Sequence, residues 1–152
     1  MLTEFTKLGL TEQQAPMLAS AFVDHKKLAP GKFFIKEGKV CNEIGIVTKG
    51  KCRHFYNTKD GEVTRWIALT NEFVTSLSSF VSQQHAKENI QAMEATEIAI
   101  MPRANWQKLY AEHEYIRQFY TRIIEANYIG MEERVFNLIA KSAEERYQWM
   151  QE

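Results

Sequence analysis

Cysteine is scarce: Cys41 and Cys52 are the only two in 152 residues. That excludes a disulfide framework, and it excludes the roughly four thiolates that an iron–sulfur cluster takes. Ordinary buried or loop thiols in a reducing, cytoplasmic setting are the expectation. Long apolar runs are missing as well. Nothing approaches the ~18–20 residues of a membrane span, and the opening stretch carries Thr3, Glu4 and Thr6 where a signal peptide would be apolar. No membrane partner is expected. Charge of one sign is also lacking, because 19 Lys and Arg balance 19 Asp and Glu. A face that grips DNA is normally basic, so these residues are not expected to be the part that touches nucleic acid. The four histidines, His25, His54, His85 and His113, never fall within 25 positions of one another. A cupin-type metal site needs a His-x-His pair with a carboxylate and a further histidine. No metal, no cofactor and no catalytic residues are therefore expected, and the histidines read as solvated or strand-surface groups.

What remains is an ordinary soluble composition, 45% hydrophobic and 25% charged, enough for one domain with a helical arm. Residues 2–23 read as helical, interrupted at Gly9. Thr11 and Gln14 fit a capping box ahead of the stripe Met17, Leu18, Ala21 and Phe22. From 25 to 101 the texture changes to short runs rich in β-branched and aromatic residues: 32–36, 43–48, 53–57, 63–69, 89–93 and 97–101. Turn signals at Pro30-Gly31, Glu37-Gly38, Lys49-Gly50 and Asp60-Gly61 punctuate them. Such spacing belongs to an antiparallel sandwich or barrel. Lys59-Asp60-Gly61-Glu62 reads as a hairpin turn, and 76–81 as a turn or two of helix between strands.

Pro102 opens a short helix, on which Trp106 and Tyr110 read as core anchors, as does Trp149 near the end. A long helix over 114–128 follows. Ile116, Phe119, Ile123, Ala126 and Gly130 are spaced 3, 4, 3 and 4 apart, which is a coiled-coil seam. Tyr120, Ile124 and Tyr128 make a second stripe beside it. A helix apolar on two faces needs two partners, and a second copy of the chain is the natural second one. Two further short helices are predicted over 131–141 and 143–150.

Several segments together resemble the Crp–Fnr-type transcription regulators. Leu28 to Gly38 (LAPGKFFIKEG) is similar to the first hairpin of their cyclic-nucleotide-binding fold. The strand ending Ile46-Val47-Thr48-Lys49-Gly50, the hairpin Asp60-Gly61-Glu62-Val63-Thr64-Arg65-Trp66 and the lead-in Glu72-Phe73-Val74 resemble the segments that follow. Arg134-Val135-Phe136-Asn137-Leu138-Ile139 is similar to the first helix of the family's DNA-binding half. The likeness is nearest to the branch common in Bacteroidetes-type bacteria. It implies an α+β fold: an antiparallel, eight-stranded β-roll (a double-stranded β-helix or jelly roll) with N-terminal helices and a long C-terminal dimerisation helix. It further implies a sensor over 1–130, the start of a truncated helix-turn-helix domain over 131–152, a homodimer through the seam, and DNA contact through a module beyond these residues.

The resemblance also places a ligand pocket at Phe73, Val74, Thr75, Ser76, Leu77, Ser78 and Ser79, with His85 and Lys87 downstream. Cyclic-nucleotide binders combine a glycine and a glutamate opening the short helix with a later arginine. Thr75 stands at the glycine position, Ser76 at the glutamate and Ala86 near the arginine, and no arginine lies between Arg65 and Arg103. Cyclic AMP is therefore not an expected effector, and the effector stays unnamed. A smaller anion held by the serines with Lys87 or His85 is one alternative. A stand-alone receptor without DNA function is another.

Overall fold

The computed structural model describes residues 2–140, which fall into two compact units divided between His113 and Glu114. The first unit is built on eight strands: β1 (Asp24–Leu28), β2 (Phe33–Ile35), β3 (Glu43–Lys49), β4 (Cys52–Thr58), β5 (Gly61–Ala68), β6 (Phe73–Val74), β7 (Asn89–Ala92) and β8 (Thr96–Pro102). They form two antiparallel four-stranded sheets, ordered β1-β8-β3-β6 and β2-β7-β4-β5. This is the expected β-roll. The hairpin at 59–60 forms as read, with Thr58 paired to Gly61 and Gly61 alone in the turn taking a positive φ, +118°.

Two strands were not among the expected runs. β1 reads Asp-His-Lys-Lys-Leu and has no apolar alternation to announce it. It lies at the edge of its sheet, where Lys26 pairs with Glu43 and Lys27 with Glu97, and charges there block further strand pairing. β6 is a two-residue strand against Gly45 and Ile46, too short for any periodicity to show.

At the N-terminus, α1 (Leu2–Lys7) and α2 (Ala15–Ser20) are separate helices on either side of Gly9, as expected. The capping box is present: the Thr11 N–H donates to Gln14 Oε1 at 3.0 Å, and the Gln14 N–H donates to Thr11 Oγ1 at 3.2 Å. Phe5 of α1 stacks on Phe22 and on Phe73 of β6, each at 6.1 Å between ring centroids, so the N-terminal helices are fastened to the roll. The helix inserted between β6 and β7 is α3 (Leu77–Ser82), and α4 (Arg103–Glu112) follows β8. Trp106 and Tyr110 stack on each other at 5.7 Å, yet Trp106 is only half-buried and Tyr110 exposed, so neither is a core anchor.

The second unit is one helix, α5 (Glu114–Ala140). The break expected near residue 130 does not occur. A single helical Gly130 costs about 1 kcal/mol against alanine, and the strong helix formers Met131, Glu132, Glu133 and Arg134 carry the helix past it. Along the expected seam, Ile116 and Phe119 are buried, Ile123 and Gly130 half-buried and Ala126 exposed. No helix among the described residues is long and apolar enough to cross a membrane. The helix expected over 143–150, with Trp149, lies outside the described residues.

Packing across the roll is tightest to read at Gly45 on β3. A Cβ there would stand 2.5 Å from Ile98 Cγ2, 2.7 Å from Val74 Cγ2 and 3.1 Å from Phe34 Cζ. Ile98 and Val74 belong to the same sheet as Gly45 and Phe34 to the other, so both layers close over this backbone. Gly45→Ala is expected to destabilise the fold by about 1–3 kcal/mol through overpacking, measured as a lower midpoint in urea unfolding with an unchanged slope.

Candidate functional site

The residues that the sequence assigned to a pocket end up in different roles. Val74 is fully buried in the core, and Phe73 is committed to its stack on Phe5. Thr75 Oγ1 donates to the Glu43 carbonyl at 3.1 Å. Ser79 is buried, and its Oγ accepts the Cys41 N–H at 2.9 Å and donates to the Gln84 carbonyl. These hydroxyls hold α3 onto the β3 end of the roll. Leu77, Ser78, His85 and Lys87 are exposed, and His85 makes a single β-bridge with Val40. Of the assigned set, only Ser76 turns its side chain into the interior with nothing bonded to it.

Ser76 faces a group that the linear reading passed over. Glu88, at the entrance to β7, is 6% exposed. Its Oε2 lies 3.1 Å from Arg65 Nη2 on β5 and 3.5 Å from His54 Nδ1 on β4. His54 is itself buried, a correction to the expectation that the histidines sit in solvent or on strand surfaces. The bulge between His54 and Phe55 sets this local geometry, with His54 opposite Trp66 and Phe55 opposite Thr64. Arg65 occupies the extra position between them and reaches Glu88. Neither ring nitrogen of His54 makes a hydrogen bond of good geometry, and the Ser76 hydroxyl makes none either.

Desolvation by burial pushes the Glu88 carboxyl upward. The hydrogen-bonding influence of His54, the charges of Arg65 and His54, and the nearby Ser76 hydroxyl outweigh it, so the pKa falls below the usual carboxylate value. The interior thus holds an ionised carboxylate facing one guanidinium. Lys87, next to the buried Ala86, is exposed.

The remaining chemistry-bearing groups are quiet. Cys41 and Cys52 are both free and fully buried, and burial pushes the Cys52 thiol up to about 11. Among the described residues, no three of His, Cys, Asp or Glu converge as metal ligands.

A carboxylate whose pKa is lower in the folded than in the unfolded chain contributes stability above its unfolded pKa, near 4.3. That contribution disappears as the pH falls through the lower, folded value. Glu88→Gln should therefore cost roughly 1–3 kcal/mol at pH 7, as expected when a buried charge-assisted contact is lost. The gap to wild type should narrow below pH ~4.3. Urea midpoints of both proteins at pH 7, 5 and 3.5 check this, and a pH-independent gap would contradict it.

The family model of the cyclic nucleotide-binding domain matches residues 25–113. No curated protein sequence matches the chain. Among solved structures, the catabolite activator protein of Thermus thermophilus superposes with a TM-score of 0.72 at 17% identity, over 86% of this chain and 61% of that one. A cyclic nucleotide-binding domain from Methylobacillus flagellatus gives 0.76 at 12% identity, over 93% and 84%. The sensor domain of the transcriptional regulator DNR from Pseudomonas aeruginosa gives 0.63 at 10%, over 92% and 88%. This chain spans 61% of the length of the Thermus protein. At such identities the likeness is one of fold, shared with sensor domains of Crp/Fnr-type regulators. The match of residues 25–113, together with the β-roll and its inserted α3, shows that the chain belongs to the cyclic nucleotide-binding domain family.

Proposed function

We propose that this chain is the effector-sensing and dimerising part of a Crp–Fnr-like transcription regulator, and that its barrel has lost the cyclic-nucleotide site. The observation that carries the reading is the joint presence of the β-roll and a 27-residue helix, α5, with a long exposed apolar stripe. On that helix Tyr128, Met131, Val135 and Leu138 are all exposed, and with half-buried Ile124 they are spaced 4, 3, 4 and 3 apart. This is a heptad seam. It continues the second of the two stripes, whereas Ile116 and Phe119 of the first are already buried within one chain. A second copy of α5, laid parallel, covers the exposed stripe. In such an arrangement an effector in the roll shifts the balance between two settings of the helix pair. DNA contact is assigned to a module outside the described residues, since the chain has no basic surplus.

Each large apolar side chain left in water forfeits roughly 1.5–3 kcal/mol. The wild-type protein is accordingly expected to sediment as a dimer at micromolar concentration. Val135→Glu should convert it to a monomer while the far-ultraviolet signature of the roll is retained. A wild-type monomer would remove the dimerising half of the proposal.

The pocket gives an independent test. Thr75 carries a side chain where glycine would let backbone approach, Ser76 replaces the ribose-binding carboxylate, and Ala86 replaces the phosphate-binding arginine. A charge-assisted bond of the lost kind is worth about 1.5–3 kcal/mol, or one to two decades of affinity. Isothermal titration with cyclic AMP is expected to show no saturable binding tighter than about 1 mM, the level of roughly −4 kcal/mol. Binding at micromolar concentration would overturn the reading.

A further inference from the structure

We propose that the interior site of the roll is filled by the chain's own Glu88 carboxylate, which stands where a bound anion would be held. The site then accepts a free carboxylate or small oxyanion only when Glu88 is removed. The inference deepens the proposed reading of the barrel and rests on it. Its substance is the convergence of three side chains from separate elements on one buried carboxylate. Arg65 comes from β5 at 3.1 Å, His54 from β4 at 3.5 Å, and Ser76 from the residue that precedes α3. A buried anion is tolerated only where a cation and hydrogen-bond donors answer it, and here the polypeptide provides both sides of that arrangement.

The polar groups around Glu88 also exceed those it bonds closely. His54 and Ser76 are buried, at 3% and 0% exposure, and their polar atoms make no hydrogen bond of good geometry, His54 Nδ1 standing 3.5 Å from Glu88 Oε2. Groups of this kind are costly unless something polar reaches them. A single carboxylate on a short tether makes a close contact with Arg65 and a longer one with His54, whereas a free anion can settle among all three. Glu88 therefore blocks the site electrostatically: its negative charge repels any anion approaching Arg65, and its side chain takes up the space.

The experiment is chemical rescue in the full chain. Glu88→Ala is expected to melt below wild type and to recover with sodium acetate or formate, saturably in the millimolar range. Matched sodium chloride should leave it unrescued. Wild type should show no such response, and the double variant Glu88→Ala, Arg65→Met should lose it. Equal responses of Glu88→Ala to acetate and chloride, or acetate binding by wild type, would sink the inference.

Arg65 is 39% exposed on its side chain, so Arg65→Met keeps the proposal testable even if Glu88→Ala fails to fold. Carbon-13 titration of the Glu88 carboxyl in Arg65→Met should show a midpoint about one unit or more above wild type, and an unmoved midpoint contradicts the proposal. Failed rescue leaves the wider reading of the barrel standing, while tight cyclic AMP binding by wild type would remove that reading instead.

Discussion

The antiparallel ladder between β3 and β8 is the constraint on which the rest of the first unit depends. It runs from the pair Glu43–Pro102 to Lys49–Glu97 at the centre of its sheet, with β1 added on one side and β6 on the other. Its ends also orient the helices. The Glu43 carbonyl accepts from Thr75 and from the Cys41 thiol, which fixes the approach to α3. At the same end the Arg103 N–H donates to the Asn42 carbonyl, starting α4 as β8 finishes. Gly45 lets Val74, Ile98 and Phe34 close over this ladder, which brings the second sheet's Phe34 against it. Burial supplies the adhesion, and the backbone pairing supplies the register that makes burial specific.

Much of this was legible in the sequence, and the reasons differ from element to element. The capping box at Thr11 and Gln14 is local chemistry, so a pair of residues suffices to announce it. The hairpin at 59–60 is local in the same sense. β1 was not legible, because an edge strand of charged residues owes its existence to β8 rather than to its own pattern. The continuity of α5 through Gly130 reflects a sum of propensities over the following turn, which one glycine does not outweigh.

The site was the least legible part, for a geometric reason. No arginine stands in the linear stretch before β7, and the one that reaches Glu88, Arg65, enters from β5. The serines drew notice as anion ligands, yet Ser79 and its neighbour Thr75 serve the backbone of 41–43 and 84. Glu88 gave only one hint, a carboxylate just ahead of the strand Asn89–Ala92. An acidic residue beside a buried strand is common enough at loop ends to pass as solvated. Only the folded register shows it turned inward beside His54.

The buried thiols carry a consequence for the redox chemistry open to the roll. With its pKa pushed to about 11, Cys52 is ionised in roughly one molecule in ten thousand at neutral pH, and the thiolate is the species that peroxides and electrophiles attack. Cys41 is equally enclosed, its sulfur facing the Glu43 carbonyl and the Thr75 hydroxyl. Both thiols are thus poorly placed to react with oxidants while the roll is folded.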